Sequence, residues 1–134
     1  MSGRRDIEAL LRQIALRRAI PHSWKRGECC VSFAFACVEA QTGIDWLADI
    51  GWWTNWAEAR RVARSIGGLK VALDDRLTRI APAFAQRGDV AGLPDKAFGV
   101  RLMIVEGATL VGPGERGLEH LPRSAMRLAW SAVG

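Results

Sequence analysis

The chain has 134 residues, of which 49% are hydrophobic and 25% charged, with a net charge of +5. That length supports a hydrophobic core without covalent staples, and the composition excludes a disordered chain. No apolar run is long enough to span a bilayer, and three cysteines cannot all pair with one another, so reduced thiols and synthesis in the cytoplasm are expected.

The charge is unevenly placed. Residues 1–27 hold Arg4, Arg5, Arg12, Arg17, Arg18, Lys25 and Arg26 against Asp6 and Glu8, and the rest of the chain balances. Within this segment Arg4 to Ala19 reads as an amphipathic helix, because Ile7, Leu10, Leu11 and Ile14 follow i, i+3, i+4, i+7 spacing. Pro21 marks its stop. The N-terminus has no uninterrupted apolar stretch and no small-residue cleavage site, so it does not read as a secretory signal. Arg12, Arg17 and Arg18 are spaced to solvate a helix rather than to cradle phosphate. They are candidate protein contacts, and nucleic acid is not the expected partner.

His22 to Glu28 reads as a loop. Cys29 to Gln41 is apolar nearly all round and rich in alanine, which favours a buried central helix, ended by Thr42-Gly43. Asp45 to Trp56 carries four tryptophans and reads as a loop or short turn over the core. Burial is the default for at least two of these indoles, and Trp52 and Trp53 are the candidate exposed pair. Thr54 or Asn55 caps a helix through Ile66, and Lys70 to Arg79 reads as another. Asp74 and Asp75 point about 100° apart on a helix, so they make a solvated face rather than a catalytic pair.

Beyond Pro82 the pattern turns to strands. Arg87-Gly88-Asp89 is a turn opening a strand at Val90, and the adhesion-like tripeptide is ordinary turn chemistry. Lys96 to Val105 reads as a strand, Glu106-Gly107 as a tight turn and Ala108 to Val111 as the return strand. Gly112-Pro113-Gly114 reads as a turn, and Gly117 to Leu121 and Met126 to Val133 as the last strands. Helices followed by an antiparallel sheet give an α+β fold. The expected organisation is one domain, with a basic helix over 1–20, a helical part over 21–79 and a sheet part over 80–134.

A thiol at a helix N-terminus has its pKa lowered by the dipole and by unpaired N–H groups, which makes Cys29 and Cys30 candidate nucleophiles. A base would have to come from His22 or His120, the only histidines. The bland alternative is that these cysteines are small apolar core residues. Cys29, Cys30, Cys37 and His22 lack the paired knuckles of a metal site. No dinucleotide or phosphate loop occurs, so no cofactor is expected.

The order of Pro21, Trp24, Glu28-Cys29, Thr42-Gly43-Ile44-Asp45, Ile80-Ala81-Pro82-Ala83, Arg87-Gly88-Asp89-Val90, Phe98-Gly99-Val100, Gly112-Pro113 and Leu128-Ala129-Trp130 resembles the NlpC-type branch of the papain-like cysteine peptidases. It is more similar still to small papain-like proteins of unknown function encoded in phage, prophage and gene-transfer-agent tail regions. The resemblance implies a papain-like α+β fold. It also implies a nucleophile position at Cys29, with Cys30 as the register alternative when one counts back from Thr42-Gly43. The family's histidine slot falls on Ala97, and alanine cannot take a proton. The implied function is a catalytically degenerate assembly or structural component of a tail, with other tail proteins as partners and a virion or tail particle as its place. The alternative is an active hydrolase of peptidoglycan, with Cys29 as nucleophile and His120, or His22, as base.

Overall fold

The computed structural model describes residues 5–133. Met1 to Arg4, and with them one arginine of the basic segment, lie outside the described residues, as does Gly134.

Helix α1 runs Ile7–Arg17 and is capped by Asp6, whose carboxylate accepts from the Ala9 amide. Its inner stripe, Leu10 and Ile14, is buried, and Arg12 and Arg18 are exposed. Arg17 departs from the sequence expectation. It is 5% exposed and lies over the Phe33 ring. The reason is helical period: Arg17 follows Leu10 by seven residues and Ile14 by three, so it continues the buried stripe. It is therefore not a surface contact.

Helix α2 runs Cys30–Thr42, with Cys29 as its extended N-cap residue. Its C-cap is Gly43, at φ 80°, a left-handed conformation that glycine adopts without a Cβ penalty. Phe33, Ala34, Cys37 and Val38 have no exposed surface. Apolar on all sides, α2 sits between α1 and the sheet, as its composition implied. Helix α3 runs Trp56–Ser65, capped by Asn55. Helix α4 runs Leu69–Arg76, shorter than the sequence suggested.

The expected helical residues after Arg76 instead form a strand. β1 is Thr78–Ile80, β2 Val90–Asp95, β3 Gly99–Val105, β4 Thr109–Gly114, β5 Gly117–Pro122 and β6 Leu128–Ser131. They make one antiparallel sheet in the order β1-β6-β2-β3-β4-β5. Arg79 belongs to β1 because β6 offers it a partner in Trp130; local helix propensity yields to the ladder. Gly112-Pro113-Gly114 likewise lies in β4, paired with Glu119, Leu118 and Gly117, rather than in a turn.

One face of the sheet packs on the helices. Leu102, Ile104, Val111 and Trp130 join Leu10, Phe33, Val38 and Leu73 in the larger buried cluster. The other face carries Ala91, Met103, Val105, Leu110 and Ala129, with Ala85 and Met126 from the loops. No helix among the described residues is long and apolar enough to cross a membrane.

Candidate active site

The cysteines sit where α2 begins, as the sequence placed them. Cys29 is buried and its sulfur lies 3.4 Å from Ser32 Oγ. Cys30 opens the helix and is partly exposed. Burial pushes the Cys30 thiol up to about 11, with the nearby Cys29 adding to the rise; the Leu102 backbone amide, which faces the sulfur, acts the other way. Cys37, well inside the helix, is pushed up to about 12 by burial and is a core residue. Cys30 is therefore not acidic despite its helix-terminal position, because burial is the largest influence on it.

Both Cys29 and Cys30 line a cleft of about 370 Å³ bounded by the start of α2, by β3 and by α3. His22 lines the same cleft, fixed by a 2.8 Å bond from its backbone amide to the Gly114 carbonyl. Its ring meets the edge of Trp24 at 4.8 Å between centroids. Burial, then the guanidinium groups of Arg101 and Arg17, hold its pKa below the ordinary histidine value, with Glu119 opposing them. His22 is therefore neutral at neutral pH, the form able to accept a proton.

His120 lies elsewhere. On β5 it pairs with Val111 and is absent from the cleft lining, although its neighbour Glu119 belongs to it. Its Nδ1 is 3.3 Å from Thr109 Oγ1 and 3.2 Å from Glu106 Oε2. These partners mark the end of the β4–β5 hairpin away from the cleft. The fold thus brings His22, and not His120, to the cysteines. Among the described residues no imidazole is hydrogen-bonded to a thiol.

Ala97 also differs from its expected setting. β3 starts at Gly99, so Lys96, Ala97 and Phe98 form the turn after β2, closed by the Phe98 amide donating to Asp95 Oδ2 at 2.8 Å. Ala97 is exposed and absent from the cleft lining, whereas its neighbours Phe98 and Val100 face the cleft. The strand segment against the Cys30 sulfur offers Val100, Arg101 and Leu102, none of which can take a proton at neutral pH.

The tryptophans divide. Trp52 is 63% exposed, and Trp53 is 4% exposed and lines the cleft. The pair separates because Arg26 lies over both rings, at 5.3 and 5.5 Å. The same guanidinium ties the preceding loop down by donating to the Leu47 and Ile50 carbonyls. Trp53 is therefore not a surface contact. Its Nε1 is buried with no acceptor, a feature the sequence did not reveal.

Asp74 is more than a solvated carboxylate, because it accepts from Arg79 and from Trp130 Nε1 at 2.8 Å, and Arg79 holds its pKa down. Asp89 of the Arg-Gly-Asp turn is 1% exposed and is a structural hub, out of reach of any adhesion partner. No cluster of metal-ligating side chains occurs among the described residues.

The crystal structure of the NlpC/p60 domain of the peptidoglycan hydrolase SagA is similar to this one, with a TM-score of 0.61 and 20% identity, covering 94% of this chain and 98% of that one. That likeness gives the papain-like NlpC/p60 fold. No curated protein matches in sequence. Residues 4–132 match the family described as "Domain of unknown function (DUF6950)", and the chain belongs to that family.

Proposed function

We propose that the chain is a catalytically silent papain-like domain, serving as an assembly or structural component of a phage-derived tail, with its cleft used for binding rather than hydrolysis. One observation carries the silent reading: the β3 segment facing the Cys30 sulfur has no imidazole, and that thiol is held protonated. A base contributes roughly 10²–10⁴-fold in such chemistry, and a thiol is a poor nucleophile until it ionises. The tail role rests on the sequence resemblance, with exposed Arg12, Arg18 and Trp52 as its contact candidates.

Incubation with purified peptidoglycan should release no new amine or carboxyl ends above a Cys29→Ala, Cys30→Ala control. Release that the control abolishes would overturn the silent reading. For the tail role, co-purification with phage-tail proteins should weaken in an Arg12→Glu, Arg18→Glu, Trp52→Ala chain, and undiminished association would remove that surface from the role. Deleting residues 1–20 is not a usable test, because α1 supplies Leu10 and Ile14 to the core.

A second reading is favoured by the position of His22. A neutral imidazole in the same cleft as two thiols is the minimum for a cysteine hydrolase acting on peptidoglycan. Under that reading His22→Ala abolishes cleavage and His120→Ala does not.

A further inference from the structure

Helix α3 carries an apolar stripe at Ala59, Val62, Ala63 and Ile66, with Arg61 and Arg64 exposed on the opposite side. An amphipathic helix ordinarily buries such a stripe. Here none of the residues of α3 is buried, and the stripe lines the cleft instead. The opposite wall is apolar too, with Leu47, Ile50, Trp53 and Val100. The helix thus stands off from the core across a gap of about 370 Å³, room for roughly a dozen groups of water or methylene size at about 30 Å³ each.

We propose that this cleft binds a single aliphatic chain carrying a cationic head, laid between the α3 stripe and the thiol-bearing end of α2. The inference rests on the cleft being a binding site, as proposed above.

Two observations select this occupant. Most of the wall is apolar, with the charged residues gathered at Asp95, Arg101, Glu115 and Glu119. An extended peptide would bring a donor and an acceptor with every residue, and burying those without partners is costly; a hydrocarbon chain brings none. The charged lining sets the head group, since Asp95, Glu115 and Glu119 outnumber Arg101, which is itself bound to Glu119 and the Pro113 carbonyl. A carboxylate or phosphate head would meet net negative charge, and a neutral or ammonium head would not.

The test is calorimetric titration of the full chain with alkanoylcholines of increasing chain length, below their micelle concentrations. Fatty acids of equal length, an apolar hexapeptide and a short-chain choline ester serve as comparators. Expected is one-to-one binding whose affinity rises about fourfold per methylene until the cleft is full, with the fatty acid weaker by tenfold or more. Ala63→Trp, which fills the cleft from the partly exposed helix, should abolish binding. Arg64→Ala, on the outer face, should leave it unchanged, and both variants should keep the native circular dichroism.

Binding that does not grow with chain length, that survives Ala63→Trp, or that is equally tight for fatty acid overturns the proposal. Tighter binding of the hexapeptide than of any alkyl ligand overturns it in favour of a peptide groove. The peptidoglycan assay separates this proposal from the silent reading. Chain binding together with peptidoglycan cleavage would sink only the silence, and neither binding nor cleavage would sink only the ligand.

Discussion

The two ends of α2 are built differently. At the C-terminal end, buried polar groups hold separate segments together. Gln41 donates to the Cys37 and Gly88 carbonyls, and its own carbonyl accepts from the Asp6 amide. Asp89 accepts from Arg5 and the Ala132 amide at Oδ1 and from the Gln86 amide at Oδ2. At the N-terminal end Arg26 is well paired, but other buried polar groups are not. Trp53 Nε1 and two nitrogens of Arg17 have no acceptor, and the thiols face an apolar cleft. Gln41 Oε1 is unpartnered at the paired end. The contrast separates two kinds of inherited signature in one helix. The Thr42-Gly43 and Gly88-Asp89 motifs hold the architecture, and the cysteine end is free of that duty.

The largest effect should come from Asp89→Ala. It would strand the buried Ala132 amide, the part-buried Gln86 amide and Arg5 at once, and losing one member of a buried ion pair costs about 3–5 kcal/mol. Denaturant melts should show that loss. A change below about 1 kcal/mol would mean that the paired end of the helix is not the structural anchor.

Two glycines sharpen the same contrast. Gly88, at φ 96°, would set a Cβ into the Gln41 side chain, whereas Gly99, at φ 82°, has nothing within 4 Å of its Cβ position. Gly99→Ala should cost only its left-handed conformation, about 1–2 kcal/mol. Gly88→Ala adds overpacking of about 1–3 kcal/mol to that. Equal melting shifts for the two variants would erase the difference between the ends.

Much of this architecture is legible in the residues alone. The run Cys29–Gln41 is apolar in every direction, which only a central helix accommodates, and Gly43 announces its end. Gly88-Asp89 reads as a turn. What did not read locally depends on partners distant in sequence. Arg79 joins a strand because Trp130 lies beside it, and Gly112-Pro113-Gly114 pairs across β5 against its own turn propensity. The site was legible in its thiols and illegible in its imidazole. His22 and His120 are equal candidates by composition. Only the bond from the His22 amide to Gly114 shows which one the fold carries to the cleft. Ala97, expected on a strand, lies in the β2–β3 turn.

At the cleft end the thiols give a pH prediction. With Cys30 raised to about 11, alkylation by iodoacetamide at pH 8 should be about a hundredfold slower than for a free thiol, read by mass spectrometry of the labelled peptide. The same shift acts on stability. Below about pH 8.5, the ordinary thiol value, folded and unfolded chains both hold the proton and the full stability is present. As the pH rises toward about 11 the unfolded chain ionises first, so stability falls across that window. Rapid labelling at pH 6 would instead mark an activated thiol and favour the hydrolase.

The smallest expected effect is also the least intuitive. Arg17 is a buried cation whose Nε and Nη2 have no partner, while Nη1 donates to the Ile20 carbonyl at 3.1 Å. Burial lowers its pKa, against the favourable influence of Cys29 and Glu28. Arg17→Met would keep the aliphatic stem packed on Phe33 and remove the charge. Replacing an under-paired buried charge with an apolar side chain of similar volume is often neutral or stabilising by 1 kcal/mol or more. The melting midpoint should therefore hold or rise, although an arginine in a basic amphipathic helix is normally the residue least expected to be dispensable. A loss above about 2 kcal/mol would show that the guanidinium finds acceptors in solution. The thiol-bearing end of α2 would then be as fully paired as the Asp89 end, and the distinction between them would fail at its clearest point.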